Sequence, residues 1–102
     1  MDTSDDVWAA LNAVNDQETF LVFVRKLIED RKDEVAREEV KPSMRYGPGV
    51  NGWENTSIEG FLDAAAAWAE STDFGQTGWP LLEKENIWRR FAHFLYSGKV
   101  YE

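Results

Sequence analysis

The run from Trp53 to Glu70 constrains the fold of this chain more than any other stretch, because it carries the strongest helix signal in the sequence. Thr56 and Glu59 have the spacing of a capping box, which predicts a helix that begins at about Ser57. Apolar residues then recur at the i, i+3, i+4 spacing of a core-facing helix side. These residues are Ile58, Phe61, Leu62, Ala65, Trp68 and Ala69.

Two further stripes follow along the same predicted helix at about 100° per residue. The first consists of the small residues Gly60, Ala64, Ala67 and Ser71, which allow another helix to approach closely. The second is acidic and consists of Glu59, Asp63 and Glu70. The pattern predicts a helix with neighbours on two sides and an acidic stripe that faces water.

Three other segments have helical periodicity. A short helix over about residues 5–13 is predicted to be anchored by Trp8 and Leu11. A second helix is predicted to follow a turn and cap at Asn15-Asp16, with its apolar side formed by Phe20, Phe23, Val24, Leu27 and Ile28. The last helix is predicted from near Asn86 to a cap at Gly98, with Ile87, Trp88, Phe91, Ala92, Phe94 and Leu95 on its apolar side. The expected fold is all-α: a compact bundle of three main helices plus a short N-terminal helix, in which the second, third and last helices share one core.

Residues 1–102 are expected to form a single domain, with a flexible connection at about 33–52. The charged residues from Lys32 to Val40 favour a helix, but only as a solvated extension that carries little core. The glycines and proline of residues 47–52 then predict a loop. Met44 and Tyr46 are the only groups of residues 41–52 that we expect to contact the rest of the protein.

The chain has a formal net charge of -8, which argues against direct binding to nucleic acid or to an anionic membrane and permits a basic protein partner. The acidic start of the chain does not resemble a signal peptide, and no apolar run is long enough to cross a bilayer. A cytoplasmic protein is therefore expected. No Lys or Arg occurs between Arg45 and Lys84, so the middle of the chain is purely acidic.

No catalytic, metal-binding or cofactor-binding motif is present, and the expectation is a protein that is not an enzyme. The absence of cysteine excludes thiol chemistry and cysteine-ligated metals. His93 is the only histidine and follows Arg89 and Arg90, which favours a neutral side chain on the surface. Paired acids such as Glu59 and Asp63 would need a concave pocket to act in acid–base catalysis.

Six residues are candidates for a protein-binding surface in the acidic middle of the chain: Trp53, Glu54, Glu59, Asp63, Glu70 and Trp79. For the three acids of the predicted helix there is a rival interpretation, in which Arg89 and Arg90 neutralise them within the fold. For Trp53 the rival is structural, because an aromatic residue just before a helix cap commonly fixes the helix entry onto the core.

Two motifs resemble a family of small bacterial proteins that is known only as a domain of unknown function. The first is W-E-N-x-[ST]-x-E-x-F-L-x-A-x-x-A-W, starting at Trp53, and the second is the ending Lys99-Val100-Tyr101-Glu102, within a K-[IV]-Y-E pattern. The similarity extends over residues 14–32 and 53–102. It implies a compact bacterial domain but no activity or ligand, and this chain departs from the family pattern in a longer connection at about 33–52.

The expected function is that of a non-enzymatic bacterial protein-interaction domain, and its more specific form is an immunity-like factor that binds a basic toxin. Three alternatives remain open at this point. The chain could be a small-molecule-binding or regulatory domain with a pocket between the last two helices, or a mimic of nucleic acid. It could also self-associate through Gly60, Ala64 and Ala67, so that either a monomer or a weak homodimer is expected.

Overall fold

The computed structural model describes residues 3–42, 48–77, 82–83 and 85–101. Its four helices are α1 (Thr3–Asn12), α2 (Gln17–Val40), α3 (Ile58–Thr72) and α4 (Ile87–Val100). The predicted all-α fold of three main helices and a short N-terminal one is confirmed. Met44, Tyr46 and Trp79 lie outside the described residues. Within the described part of the chain, no helix combines the length and the apolar character that crossing a membrane requires.

The main core lies where α1, α2 and α4 meet, and Trp53, in the segment before α3, completes it. Its buried members are Val7, Leu11, Val14, Phe23, Leu27, Trp53 and Ala92. Leu11 anchors α1 as predicted, but the prediction for Trp8 is wrong, since Trp8 is 45% exposed. Val7, one position earlier, has the place on the buried side of α1 that was expected for Trp8.

α2 begins at the predicted cap and continues without a break to Val40. The Asp16 carboxylate accepts a hydrogen bond from the Thr19 backbone N–H at 2.9 Å, and the Thr19 hydroxyl accepts one from the Asp16 backbone N–H at 3.0 Å. Beyond Arg31 the helix contributes no residue to the main apolar core, as expected, but its surface is not solvated throughout. Glu34 is completely enclosed, because it binds the segment that leads into α3.

α3 is capped by Ser57 and not by Thr56, so that it begins at Ile58. It packs against α4 and has no close backbone contact with α2. The predicted core shared by α2, α3 and α4 is therefore confirmed only in part, since Phe61 is the α3 side chain that packs against the main core. The Trp53 ring stacks on Phe61 at 6.1 Å between ring centroids and also lies beside Arg31 of α2, so Trp53 separates the two helices.

The single-sided packing of α3 leaves part of its predicted core side in solvent. Ile58 is 79% exposed and Leu62 is 53% exposed, which contradicts the prediction that both face the core. The small-residue stripe is only half covered, since Ala64 is buried and Ala67 is exposed. Ile58 and Leu62 thus form an exposed apolar edge of α3. The small-residue stripe of α3 is covered only in part.

α4 passes through Gly98 instead of ending there, which corrects the prediction of a left-handed cap. A Cβ at position 98 would lie 2.7 Å from the Phe61 ring, so the glycine allows α3 and α4 to approach closely. The predicted apolar side of α4 is also rotated. Ile87 and Phe91 are exposed, whereas His93 is buried.

Candidate functional site

A buried ion pair joins α2 to α4 beside the main core. The Lys99 ammonium lies 2.7 Å from Asp30 Oδ2, and both side chains are almost fully removed from solvent. The Trp53 indole N–H donates to the same carboxylate oxygen at 2.9 Å. The Ser4 hydroxyl lies between the two charged groups, 3.4 Å from Asp30 Oδ1 and 3.3 Å from the Lys99 ammonium. This arrangement connects three helices and the segment before α3.

The Glu34 carboxylate holds the segment that leads into α3. Its Oε1 accepts hydrogen bonds from the backbone N–H groups of Asn51 at 3.0 Å and Trp53 at 3.2 Å. Its Oε2 accepts from the Arg31 guanidinium at 2.6 Å. Gly49 lies so close to this carboxylate that a Cβ there would overlap it. The part of α2 that was expected to be solvated therefore provides a buried carboxylate, and both of its oxygens accept hydrogen bonds within the protein.

Asn51 fastens the same segment to α2 at a second point. Its side-chain amide donates at 3.0 Å both to the Asp30 carbonyl and to the Asp33 carboxylate. The Arg37 guanidinium in turn donates to the Asn51 side-chain oxygen at 3.2 Å. The prediction that only Met44 and Tyr46 attach residues 41–52 to the body is thus wrong, because Asn51 is buried.

The Trp53-Glu54-Asn55 motif connects this buried polar cluster to α4. The Glu54 backbone N–H donates to the Lys99 carbonyl at 2.9 Å. The Asn55 side-chain amide donates at 3.0 Å to the carbonyls of Gly98 and Tyr101, which lie at the open end of α4. Among the described residues, no buried side-chain nitrogen or oxygen lacks a hydrogen-bond partner. The polar groups of the cluster therefore satisfy one another within the fold.

His93 is buried against α3, which corrects the prediction of a surface side chain. Its ring stacks on Trp68 at 6.4 Å between ring centroids. Burial of the imidazole, together with the charge of Arg89, lowers the pKa of His93 from 6.5 to about 4. His93 is therefore neutral in the folded protein at neutral pH.

The lowered pKa of His93 predicts a loss of stability in mild acid. As the pH falls from about 6.5 towards 4, the unfolded chain takes up a proton that the folded protein does not, so the free energy of unfolding decreases. The slope contributed by His93 approaches about 1.4 kcal/mol per pH unit. Urea unfolding at a series of pH values measures it. His93→Phe keeps a ring against Trp68 and should flatten the slope between pH 6.5 and 5; an unchanged slope would contradict the assignment.

An apolar groove of about 480 Å³ opens between α2 and the start of α3. It lies where Trp53 separates the two helices, and so differs in place from the pocket between the last two helices that one alternative function would require. The residues around it are Leu27, Ile28, Arg31, Lys32, Trp53, Asn55, Thr56, Ser57, Ile58, Phe61 and Leu62. Its volume falls within the range of small-molecule sites.

The acidic stripe of α3 lies beside the part of the helix that lines this groove, and none of its acids lines the groove itself. Glu59, Asp63 and Glu70 are all exposed, and within the described part of the chain none of them forms an ion pair. The rotation of about 100° per residue places Glu59 and Asp63 next to Ile58 and Leu62, on the side away from α4.

The rival interpretation, in which Arg89 and Arg90 neutralise the stripe, is wrong. Arg89 donates to the carbonyls of Asn12 at 2.6 Å and Val14 at 3.0 Å, and so joins α4 to the end of α1. Arg90 donates to the Phe74 carbonyl at 2.9 Å and lies over the Phe74 ring. Both arginines donate to backbone carbonyls, and neither forms an ion pair with Glu59, Asp63 or Glu70.

The structure divides the six predicted surface residues into three groups. Glu59, Asp63 and Glu70 share the exposed side of α3, and Glu54 is exposed just before that helix. Trp53 is only 6% exposed, so it belongs to the core and the groove lining and cannot form the border of an exposed face. Trp79 lies outside the described residues.

Sequence reasoning missed the buried charges, although one signal was present. Asp30 follows Leu27 by three positions and Phe23 by seven, and this spacing places it on the core side of α2. The same spacing places Glu34 seven positions after Leu27. A carboxylate on a core stripe requires a buried partner, and Lys99 and the Trp53 indole are such partners.

A model of a family of unknown function, DUF7660, matches residues 16–102. No curated protein and no solved structure matches the chain. No group of three or more His, Asp or Glu side chains within the described ranges is arranged to hold a metal ion. The match covers α2, α3 and α4 together with all of the buried polar cluster except Ser4, and the chain belongs to this family.

Proposed function

We propose that this member of the family is a non-enzymatic protein-interaction domain that binds a basic protein through the exposed side of α3. One observation carries the proposal: Glu59, Asp63 and Glu70 are exposed without an ion pair among the described residues, beside the exposed Ile58 and Leu62. Acidic groups next to uncovered apolar side chains form a surface that a basic partner with an apolar patch would complement.

The energetics of α3 favour such a partner. Glu59 and Asp63 are four residues apart, so they repel each other and cost the helix about 0.2–0.5 kcal/mol. Lys or Arg side chains of a partner would replace this repulsion with attraction and would speed association. The role proposed is that of an immunity-like factor that neutralises a basic toxin in the bacterial cytoplasm. The protein would act as a monomer, without membrane or nucleic-acid contact.

Reversing the charge of α3 tests the proposal. A variant with Glu59→Lys, Asp63→Lys and Glu70→Lys should lose the partners that the wild-type protein retains in a pull-down from the native host, quantified by mass spectrometry. Because the attraction is electrostatic, wild-type binding should also weaken as the salt concentration rises.

A matched control separates a local effect from a change in total charge. The variant Asp6→Lys, Glu39→Lys and Glu85→Lys also reverses three exposed acids, but none of them lies on α3. It should retain the same partners as the wild type. Recovery of an identical set of partners with the α3 variant would overturn the proposal.

A further inference from the structure

The two sides of the apolar groove carry opposite charges. On the α2 side, Ile28 is followed by Lys32 at the next helical turn, and Arg25 precedes it by three residues. Both cations are exposed, and neither has an ion pair with a described residue. On the α3 side, Glu59 and Asp63 flank the apolar edge. The groove therefore has a basic rim, an apolar floor and an acidic rim, in that order.

The apolar surface of α2 continues beyond the groove in both directions. Leu21, Ile28 and Val35 recur every seven residues, and each is 42–49% exposed. At about 1.5 Å per residue, this stripe runs for about 21 Å along the helix. A small molecule would occupy only the groove, whereas a helix of several turns would cover the whole stripe. A second copy of this chain fits less well, because each copy carries a net charge of -8.

We infer that the groove between α2 and α3 binds an amphipathic helix of the partner protein. Apolar side chains of that helix enter the groove over Trp53, its basic flank faces Glu59 and Asp63, and its acidic flank faces Lys32 and Arg25. The inference rests on the proposed function and specifies the partner's contact element. An apolar helix face fits an apolar groove at the i, i+3, i+4, i+7 spacing, and the two rims fix the direction of the helix.

A designed peptide tests the geometry directly. The probe is a fluorescein-labelled helical peptide of about 18 residues, or five turns, with a leucine stripe, lysines on one flank and glutamates on the other. A second peptide has the same composition, but lysines and glutamates alternate along both flanks, so that neither direction of binding matches the two rims. Fluorescence anisotropy should show that the wild-type protein binds the first peptide at least about tenfold more tightly than the second, because each flank of the second peptide meets like charges in either direction. Equal affinity for the two peptides, or no binding of either, would overturn the inference.

Substitutions in the apolar edge of α3 test whether the peptide binds at the groove. Leu62→Arg places a charge at the groove and should weaken binding of the preferred peptide by at least about tenfold. Val22→Arg is the matched control, since Val22 is 52% exposed, as Leu62 is 53%, but does not line the groove. It should bind as the wild type does. Circular dichroism confirms that both variants fold.

The outcomes separate this inference from the proposed function. If the triple lysine variant of α3 loses the peptide and Leu62→Arg retains it, the acidic face binds the partner but the groove inference is wrong. If Leu62→Arg loses the peptide and the triple variant retains it, a helix enters the groove but the acidic face does not select it. If neither peptide binds while decanoate raises the melting temperature, the groove takes a small apolar ligand and the helix is excluded.

Discussion

Lys99→Met is expected to lower the free energy of unfolding by about 3–5 kcal/mol, because it leaves the buried Asp30 carboxylate without its cation. The two groups lie 2.7 Å apart and are nearly inaccessible to solvent. Methionine fills a similar volume, so the loss reports the charge and not a cavity. The Trp53 indole N–H and the Ser4 hydroxyl still surround Asp30, but neither carries a charge. Urea unfolding followed by tryptophan fluorescence measures the change.

Two controls accompany this prediction. Lys32→Met makes the same substitution on an exposed lysine and should change the free energy of unfolding by less than about 0.5 kcal/mol. The double variant Asp30→Asn with Lys99→Met removes both charges, and it should recover much of the stability lost in Lys99→Met. Equal effects of the two single lysine substitutions would show that the ion pair does not stabilise the fold.

Glu34→Leu is expected to destabilise the protein by about 2–6 kcal/mol, since two buried backbone N–H groups lose their acceptor at about 1–3 kcal/mol each. These groups belong to Asn51 and Trp53, and both donate to the same carboxylate oxygen. The Arg31 guanidinium also loses the oxygen that it binds at 2.6 Å. The segment before α3 should then detach from α2, which hydrogen exchange at the amides of residues 51 and 53 would detect.

Glu34→Gln is the matched control for this substitution. The glutamine side chain keeps one carbonyl oxygen, which can accept from both backbone N–H groups as Oε1 does. It loses only the charged contact with Arg31, so it should cost clearly less than Glu34→Leu. If both variants lost the same stability, the carboxylate charge and not its acceptor role would hold the segment.

Helical periodicity was sufficient to predict the number and order of the helices, because local apolar spacing depends on the helix alone. It predicted a cap at Asn15-Asp16, where Asp16 is the capping residue, and a start of α4 near Asn86, which caps the helix, for the same reason. It could not predict which side of α3 would be covered. Trp53 precedes α3 in sequence, yet its ring lies between α2 and α3. That position depends on tertiary packing, which local sequence patterns do not describe.

The candidate site shows the same division between local and long-range information. The acidic stripe of Glu59, Asp63 and Glu70 follows from spacing within one helix and was predicted correctly as an exposed face. The groove depends on the exposure of Ile58 and Leu62, which were expected to pack against a neighbouring helix. His93 is buried because α4 is rotated from its predicted orientation. Asp30 and Lys99 are 69 residues apart, a separation at which sequence pattern says nothing about pairing.

That separation has a kinetic consequence. Closing so long a loop costs conformational entropy before the stabilising contact has formed, whereas the helices form from local contacts. The link between Asp30 and Lys99 is therefore expected to form after the folding transition state. Its stabilising energy would then act mainly on the unfolding rate, so that the chevron plot of Lys99→Met should show faster unfolding with almost unchanged refolding. The buried pair would determine how long the native fold persists once it has formed.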